Sequence, residues 1–452
     1  MVVSILASFV AFLDGSVVNV ALPAIARELG GGLAVQQWIV DGYMLTLGAL
    51  ILLAGSLSDL FGRKRILRWG LAGFGIASVL CAVAPGNLFL VVARMLQGIA
   101  GALLVPSSLA IIISSFSGRA QGKAIGNWTA WTGISFVIGP LLGGALVDSA
   151  SWRWIFAINL LPIALTLWLL RAVQTTDETK VGVKIDVLGA VLCTIGLGAP
   201  VYALIEQPRY GWSHPMVYLP FVLGFVALGL FLWWEARSPR AMLPLSTFRV
   251  RNFSVGNLAT AAIYGGLGVS TFIIVIFLQQ VSGYTALQAG LALLPVTIVM
   301  FFLSPRFGAL SGRFGPRWFM ALGPLTAAFG FLLMLGTEQH VHYWSQLFPG
   351  VLLFALGLSA TVSPLTSAVL GQVDTRHAGV ASAVNNAVAR IAGLVTVAMV
   401  GLLTGVRLDT QGFHRVLVSI AVLMLAGAVI SAIGIQNRSA KPKPAAEAVA
   451  TT

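Results

Sequence analysis

Four charged side chains stand inside long apolar stretches of the sequence: Asp14, Asp41, Arg94 and Arg390. On insertion scales a charged group at the centre of a bilayer costs about 2.5–3.5 kcal/mol, so such groups are usually functional and face the protein interior. A carboxylate can take up and release a proton, and a guanidinium can pair with a carboxylate or bind an anion. These residue types predict proton exchange, anion binding or both.

The depth of each group along its helix separates the four candidates. At about 1.5 Å per residue, Asp14 and Arg390 lie near the middle of their stretches, Asp41 lies near an end, and Arg94 lies in the same half as Asp41. We predict proton coupling through Asp14, Arg94 and Asp41. The alternatives are a permanent Asp14–Arg94 pair, and an Asp41 that simply lies at the wet interface.

Arg390 has three possible roles that the sequence does not separate. It could pair with Asp14 or Asp41 in one state, contact an anionic substrate, or bond free helix carbonyls. Several uncharged polar residues also lie at membrane depth, and most of them are expected to form interhelical hydrogen bonds. The residues predicted to line a substrate cavity are Asn19, Gln97, Gln279, Asn385, Asn386 and Arg390.

Composition places these groups in a membrane protein. The chain is 58% hydrophobic and 9% charged, whereas a soluble domain carries about a quarter charged residues. The net charge of +13 lies almost wholly in loops, so we interpret it as a topology signal and expect no nucleic-acid partner. Cys81 and Cys193 stand inside apolar runs, which argues against a disulfide framework or a metal site.

The sequence carries no motif for enzymatic chemistry. HExxH, GxSxG, P-loop and Cys/His cluster patterns are all absent from it, and each of these would supply a nucleophile, a metal or a phosphate cradle. We therefore expect no enzyme activity, no cofactor and no metal.

Spanning helices of about 20 apolar residues can be placed along nearly the whole chain. The predicted spans, about fourteen, lie near 3–26, 37–57, 66–84, 88–113, 124–147, 152–171, 185–205, 215–234, 253–278, 286–307, 318–336, 343–370, 378–404 and 415–435. With the N-terminus inside, most of the 27 Lys and Arg residues fall in inner loops. This bias predicts that both termini are cytoplasmic.

A charged loop occurs twice and divides the chain. The first copy runs from Gly55 to Arg65 and includes Asp59, Gly62 and Arg63; the second runs from Gly308 to Arg317. Such duplication is typical of secondary transporters. The copies follow the second and tenth spans, which places an extra helix pair between two six-helix halves. The predicted divisions are 1–172 (bundle), 173–250 (linker and inserted pair), 251–436 (bundle) and 437–452 (disordered cytoplasmic tail).

The fifth span carries a dense glycine and proline pattern. Pro140 removes one helix hydrogen bond and bends the span, and small residues four apart permit close helix packing. Ordinary membrane packing would explain part of this, but the density predicts a bending or sliding interface. The residues of this motif are Gly133, Gly139, Pro140, Gly143 and Gly144.

Together these segments resemble the major facilitator superfamily, and within it the fourteen-helix branch of drug:H⁺ antiporters. Gly55–Arg65 is similar to the loop signature between the second and third helices, and Phe12–Pro23 to the first-helix motif of this branch. Arg94–Gly98 resembles the fourth-helix motif whose arginine is linked to proton transfer, and Gly133–Gly144 the motif associated with antiport. Trp152–Leu160 and Gly379–Asn386 also fit.

Two features depart from the family pattern. Gly15 and Ser16 stand where a threonine usually follows the first-helix aspartate. The tenth span carries no acid, which weakens an expectation of polycation export.

The resemblance implies an all-α integral membrane protein with the major facilitator fold, its 14 helices arranged as six, two and six around a central cavity. It implies a bacterial inner-membrane protein, functional as a monomer, that exchanges protons for small lipophilic drug-like compounds by alternating access, driven by the proton gradient. The alternative substrate is a specific metabolite, antibiotic or organic anion. The loop with Asp59 would brace a neighbouring helix N-terminus in one state and release it in the other.

Overall fold

The computed structural model describes residues 1–116, 118–172, 185–238, 241–243, 245–371 and 378–437, and this part of the chain consists of helices joined by short turns and loops. The α-helices are α1 Val2–Leu29, α2 Gly32–Phe61, α3 Arg63–Ala82, α4 Asn87–Ser115, α5 Gly118–Ser149, α6 Trp154–Ala157, α7 Leu160–Ala172, α8 Val187–Tyr210, α9 Pro215–Arg237, α10 Arg251–Gln280, α11 Ala286–Ala292, α12 Leu294–Phe314, α13 Arg317–Leu333, α14 Phe348–Leu370, α15 Ala378–Ala398, α16 Val400–Thr404 and α17 Thr410–Gly434. Short 3₁₀ turns at Leu245–Arg249 and Met334–Gly336 and a π turn at Tyr343–Leu347 complete the set.

The number of membrane-spanning segments agrees with the predicted architecture. Among the described residues, 13 helical segments are long and apolar enough to cross a membrane, and a shorter apolar segment, Trp154–Leu170, takes the place of the predicted sixth span. That segment is interrupted between α6 and α7, where Asn159 leaves the helix. Pro162 follows within the first turn of α7, where its missing N–H costs no hydrogen bond.

Close helix contacts at small residues hold each six-helix bundle together. In the N-terminal bundle, Gly98 of α4 faces the carbonyl of Tyr43 and the hydroxyl of Thr46 on α2, and Thr46 Oγ1 donates to the Met95 carbonyl at 2.8 Å. In the C-terminal bundle, a Cβ atom on Gly330 of α13 would lie 2.6 Å from the carbonyl oxygen of Gly350 on α14. Backbones that approach this closely tolerate no side chain.

The inserted pair, α8 and α9, packs across the junction between the two bundles. A Cβ atom on Gly198 of α8 would lie 3.1 Å from Leu45 of α2, and one on Gly401 of α16 would lie 3.0 Å from Pro208 of α8. One apolar cluster accordingly joins Leu45, Leu197 and Leu394. α8 therefore contacts both bundles.

The two copies of the charged loop end α2 and α12 at equivalent places. Gly62 has φ of 92° and Gly315 has φ of 84°, a left-handed conformation that favours glycine. We call the side of the membrane that carries these loops the loop side, and the opposite side the far side. The predicted disordered tail, 437–452, lies outside the described residues apart from Asn437, whose Oδ1 accepts the Arg317 N–H at 3.0 Å.

Candidate functional site

Asp14 lies inside the N-terminal bundle with none of its surface exposed. Arg94 Nη1 lies 2.5 Å from its Oδ2 atom. Gln97 Nε2 and Asn159 Nδ2 each donate to its Oδ1 atom at 2.9 Å. A buried carboxylate is tolerated only when paired and hydrogen-bonded, and both of its oxygens meet that condition here.

Arg94 connects three helices around this carboxylate. Its Nη1 atom also donates to Gln97 Oε1 at 2.6 Å, and its Nε atom donates to the Ile39 carbonyl of α2 at 3.1 Å. Its guanidinium carbon lies 4.4 Å from the ring centroid of Tyr43. The Asp14–Arg94 pair, which the sequence offers as the alternative to proton coupling, is therefore formed in this state. Through Arg94 it reaches the backbone of α2.

Ser78 and Cys81 on α3 support the amide side chains around Asp14. Ser78 Oγ accepts from Gln97 Nε2 at 3.0 Å and from Asn159 Nδ2 at 3.4 Å. The Cys81 thiol donates to Gln97 Oε1 at 3.6 Å. The sequence placed Gln97 in the substrate cavity, whereas the structure buries it completely beside Asp14.

Asp41 is the second buried carboxylate of the bundle. It is 0% exposed, and neither of its oxygens has a hydrogen-bond partner among the described residues. It lies one turn after Gln37 and about two turns before Gly48, so these three residues share one face of α2. That face points toward α15 of the other bundle, since Gln37 bonds Val397 there. Asp41 thus lies at the junction of the bundles rather than at a wet interface.

Arg390 of α15 faces the same junction. Its guanidinium carbon lies 5.8 Å from the ring centroid of Phe12 on α1. A Cβ atom on Gly48 of α2 would lie 3.8 Å from the Cβ atom of Arg390. Its Nε atom is buried with no hydrogen-bond partner in the described part of the chain, and the ion pairs found there do not include Arg390. Arg390 is therefore unpaired in this state with both Asp14 and Asp41.

The other predicted cavity residues have different surroundings. Asn19 bonds the Gly15 carbonyl of its own helix at 3.4 Å. Asn385 donates to Asn257 Oδ1 at 3.1 Å and to Thr260 Oγ1 at 2.8 Å, both within the C-terminal bundle. Exposed Asn386 donates to the Ser382 carbonyl at 3.0 Å. Gln279 joins the bundles, since its Nε2 atom donates to the Val20 carbonyl at 2.9 Å.

The two bundles are hydrogen-bonded to each other on the far side. Gln37 Nε2 donates to the carbonyls of Val397 and Ala398, at 2.7 and 3.1 Å. Asp148, at the end of α5, accepts the backbone N–H groups of Ala286 and Leu287 at 3.1 and 2.8 Å. With the Gln279 bond, these are the interbundle hydrogen bonds between described residues, and all of them lie in the far half. This state is therefore held closed at the far side.

The glycine motif of α5 has two faces with different partners. Gly139 and Gly143 pack on α1, where a Cβ atom on Gly143 would lie 2.6 Å from Val17. Gly144 packs on the opposite bundle, where its Cβ atom would lie 2.5 Å from Leu287 Cα on α11. The Pro140 carbonyl also points there, because a Cβ atom on Gly290 would lie 2.6 Å from its oxygen. Gly133, in contrast, faces open space.

The charged loop at Gly55–Arg65 binds the N-terminal bundle in this state. Arg63 Nη2 lies 3.8 Å from Asp59 Oδ1, and both side chains are about one-third exposed. Arg63 Nη1 donates to the Ala110 carbonyl of α4 at 3.2 Å. Gly55 has nothing within 4 Å of an added Cβ atom.

Sequence reasoning did not single out several residues of this arrangement. Ser78, Gln37 and Asp148 carry no local signal that separates them from other polar residues in or at the ends of apolar helices. Asn159 had one usable signal, since an amide three residues before Pro162 marks a break in an apolar run. A single sequence does not reveal which of these side chains meet.

Comparison with known proteins identifies relatives of this architecture. A family model described as "Major Facilitator Superfamily" matches residues 4–397 and 258–450. The chain is 34% identical over 398 residues to "Multidrug resistance protein Stp" of Mycobacterium tuberculosis (strain CDC 1551 / Oshkosh), covering 87% of this chain and 73% of that protein. It is 33% identical to "Methylenomycin A resistance protein" of Bacillus subtilis (strain 168), with coverages of 89% and 86%. It is 35% identical to "Puromycin resistance protein pur8" of Streptomyces alboniger, with coverages of 88% and 80%.

Solved structures share the fold. The peptide transporter POT in complex with sulfate aligns with a TM-score of 0.70 at 15% identity, covering 95% of this chain and 92% of that chain. The inward open xylose transporter XylE from E. coli aligns with a TM-score of 0.67 at 14% identity, with coverages of 97% and 96%.

Proposed function

The chain belongs to the Major Facilitator Superfamily, and we propose that it is a proton-coupled exporter of lipophilic, drug-like compounds. Its relatives include proteins named for multidrug, methylenomycin A and puromycin resistance, which supports export of such compounds. The proton gradient supplies the energy, so the proposal requires no cofactor and no enzymatic step.

The observation that carries the proposal is the buried Asp14–Arg94 pair and its connection to α2. Ionised Asp14 holds Arg94 at 2.5 Å, and Arg94 in turn holds the Ile39 carbonyl. Two residues before Ile39, Gln37 bonds the C-terminal bundle. Protonation of Asp14 therefore acts on the helix that carries a hydrogen bond closing the far side.

In the proposed cycle, the link from Asp14 through Arg94 to α2 is made when Asp14 loses its proton and broken when Asp14 takes one up. In the far-closed state, an Asp14 that carries a proton from the far side releases it to the loop side when substrate enters the cavity between the bundles. The ionised carboxylate then pairs with Arg94, as in this structure. After the bundles rock, a proton from the far side neutralises Asp14 and releases Arg94, which resets the site. One charge moved through 100 mV supplies about 2.3 kcal/mol, enough for a concentration gradient of more than tenfold.

Asp41 and Arg390 provide the second part of the mechanism. We propose that Asp41 carries a proton in the far-closed state, since a buried carboxylate without a partner is costly in its charged form. Rocking of α15 against α2 would change the distance between Arg390 and Asp41. Arg390 would then bind substrate in one state and approach Asp41 in the other.

We propose the following roles for the bundles, the two membrane sides, the glycine motif and the charged loop. Residues 1–172 and 251–436 act as the rocking bundles, with 173–250 as linker and inserted pair. The loop side is cytoplasmic, the membrane is a bacterial plasma membrane, and the monomer is the functional unit. The glycine motif of α5 forms the far-side seal, and the Asp59 loop is a gate that changes partners between states.

A second candidate function keeps this fold but takes an anionic metabolite or antibiotic as substrate. Arg390 favours it, because its guanidinium has no carboxylate partner among the described residues and lies at the junction of the bundles. A cation in that position attracts an anionic group. Arg390→Gln would abolish transport of an anionic substrate and leave transport of a neutral or cationic one largely intact.

The experiment that tests the proposal is dye export by everted membrane vesicles. Vesicles containing the protein accumulate the lipophilic dye ethidium when respiration acidifies their interior, and a protonophore stops this accumulation. Accumulation that continues unchanged with the protonophore would overturn proton coupling. Absence of transport for a panel of lipophilic dyes, together with transport of an anion, would favour the second candidate.

A further inference from the structure

Two acidic side chains outside the transport site are buried against each other at the loop-side end of the inserted pair. Asp186 immediately precedes α8 and is 3% exposed, and Glu235 lies near the end of α9 and is 4% exposed. Asp186 Oδ2 lies 2.6 Å, and Glu235 Oε1 2.9 Å, from the point where a Cβ atom on Gly189 would stand. The two oxygens therefore face the same point beside Gly189.

The hydrogen bonds to the two carboxyl groups differ. Asp186 accepts the Gly189 backbone N–H at 2.8 Å and the Trp234 indole N–H at 2.9 and 3.0 Å. These N–H donors match an ionised carboxylate. Glu235 accepts the Leu243 backbone N–H at Oε2, at 2.7 Å. Its Oε1 atom, the one that faces Asp186, is buried and has no donor among the described residues.

Among the residues that the structure describes, the other ionisable groups near the pair do not neutralise it. On α8 the nearest is the buried thiol of Cys193. On α9, Arg237 lies over the Trp233 ring, 4.8 Å from its centroid. The described linker residues Ala241, Met242 and Leu243 carry no charge. Lys184 and Arg240 lie outside the described residues. The apolar cluster around α8 also presents uncharged side chains, namely Leu45, Ala49, Phe231 and Leu394.

We propose that Asp186 and Glu235 form a proton-binding site that holds one shared proton between Oδ2 and Oε1. Two carboxylates in one buried position cannot both ionise without strong repulsion, and one shared proton removes it. The proton fixes Glu235, and Glu235 fixes the Leu243 N–H of the linker that leads into α10. The site therefore connects the inserted pair to the linker at the start of the C-terminal bundle, and loss of the proton breaks this connection.

Glu235→Gln is the informative variant because it replaces the shared proton. A glutamine amide donates to Asp186 while its oxygen still accepts from Leu243. Hydrogen exchange of the full-length protein in lipid nanodiscs, corrected for intrinsic rates, measures protection of the Leu243 segment as a function of pH. We expect exchange in the wild type to accelerate about tenfold or more as pH rises and the proton is lost, and exchange in Glu235→Gln to stay slow.

The matched control is Glu206→Gln, at the other end of α8, where Glu206 accepts the Trp38 indole N–H at 3.2 Å. It should retain the pH dependence of the wild type. Infrared spectroscopy supplies an independent readout: the difference spectrum between the wild type and Glu235→Gln should contain a protonated-carboxyl band, which is distinct from that of Asp41 because Asp41 is present in both proteins. Equal protection of wild type and Glu235→Gln at every pH would overturn the proposal. Loss of protection in Lys184→Ala or Arg240→Ala would also overturn it, because an ion pair to Asp186 or Glu235 would then make the connection in place of a shared proton.

Discussion

Arg94 and Asp14 form an ion pair in which Nη1 lies 2.5 Å from Oδ2, with side chains that are 2% and 0% exposed. Removing one partner of a buried pair costs about 3–5 kcal/mol, because the other charge is left uncompensated. A proton arriving at Asp14 imposes a similar penalty on Arg94. Protonation of Asp14 alone can therefore shift the equilibrium between two arrangements of the bundles. This requires that the second arrangement offers the Arg94 guanidinium another partner.

Arg94→Lys tests whether the shape of the guanidinium matters as well as its charge. Lysine keeps the charge, but one ammonium group cannot reach Asp14 and the Ile39 carbonyl together as the fork of Arg94 does. We expect proton-driven ethidium export by everted vesicles to fall at least about tenfold. The control is Arg153→Lys, which alters the exposed Arg153–Glu28 pair, a type of pair worth about 0–1 kcal/mol. Full activity of Arg94→Lys would contradict the bridging role.

Asp41→Asn tests whether Asp41 is neutral in the far-closed state. Asparagine imitates a protonated aspartate in size and charge, so the variant should fold and stay closed at the far side. The thermal stability of the wild type should decline as pH rises and Asp41 begins to ionise, whereas Asp41→Asn should lose less stability over the same range. Parallel melting curves for the two proteins at all pH values would show that Asp41 is not the titrating group.

Gly144→Val tests the contact between α5 and α11. A Cβ atom there would lie 2.5 Å from Leu287 Cα, so the far side cannot close as it does in this structure. Spin labels at the exposed positions Ser149 and Leu291 should report a longer distance across the far side. Gly133→Ala is the matched control from the same motif, since its added methyl group meets open space. An unchanged distance in Gly144→Val would argue against the seal.

Gln37→Ala removes the two hydrogen bonds from α2 to Val397 and Ala398. Each such bond contributes about 0.5–1.5 kcal/mol, so we expect about a tenfold shift away from the far-closed population. The same pair of spin labels measures that shift. Gln346→Ala, which removes only a bond to the His342 backbone within the C-terminal bundle, should leave the populations unchanged.

The fold was predictable from the sequence because hydrophobic length and loop charge are local signals. The duplicated loop predicts an inserted pair between two six-helix bundles, and α8 and α9 lie at that point of the chain. The exception is the sixth span, predicted as 152–171 but divided into α6 and α7, because Asn159 turns toward Asp14. The break has a local signal in Pro162, whereas the contact that Asn159 makes there is tertiary.

The charged residues of the site were predictable from the sequence, but their partners were not. Asp14 and Arg94 are recognisable because charges are rare in apolar helices, and they do pair. Gln97 and Asn385 carry the same amide group. Gln97 is buried against Asp14 in the N-terminal bundle, whereas Asn385 bonds Asn257 within the C-terminal bundle. Which face of a helix each amide occupies depends on packing between helices, and a single chain does not encode that in any local pattern.

Proton release upon substrate binding is the most direct test of the central role of Asp14. Ethidium is added to detergent-solubilised protein in weakly buffered solution, and a pH indicator records the protons released. The wild type should release protons in proportion to bound ethidium, and Asp14→Asn should bind ethidium without releasing them. Proton release by Asp14→Asn equal to that of the wild type would contradict the assignment of Asp14 as the coupling carboxylate.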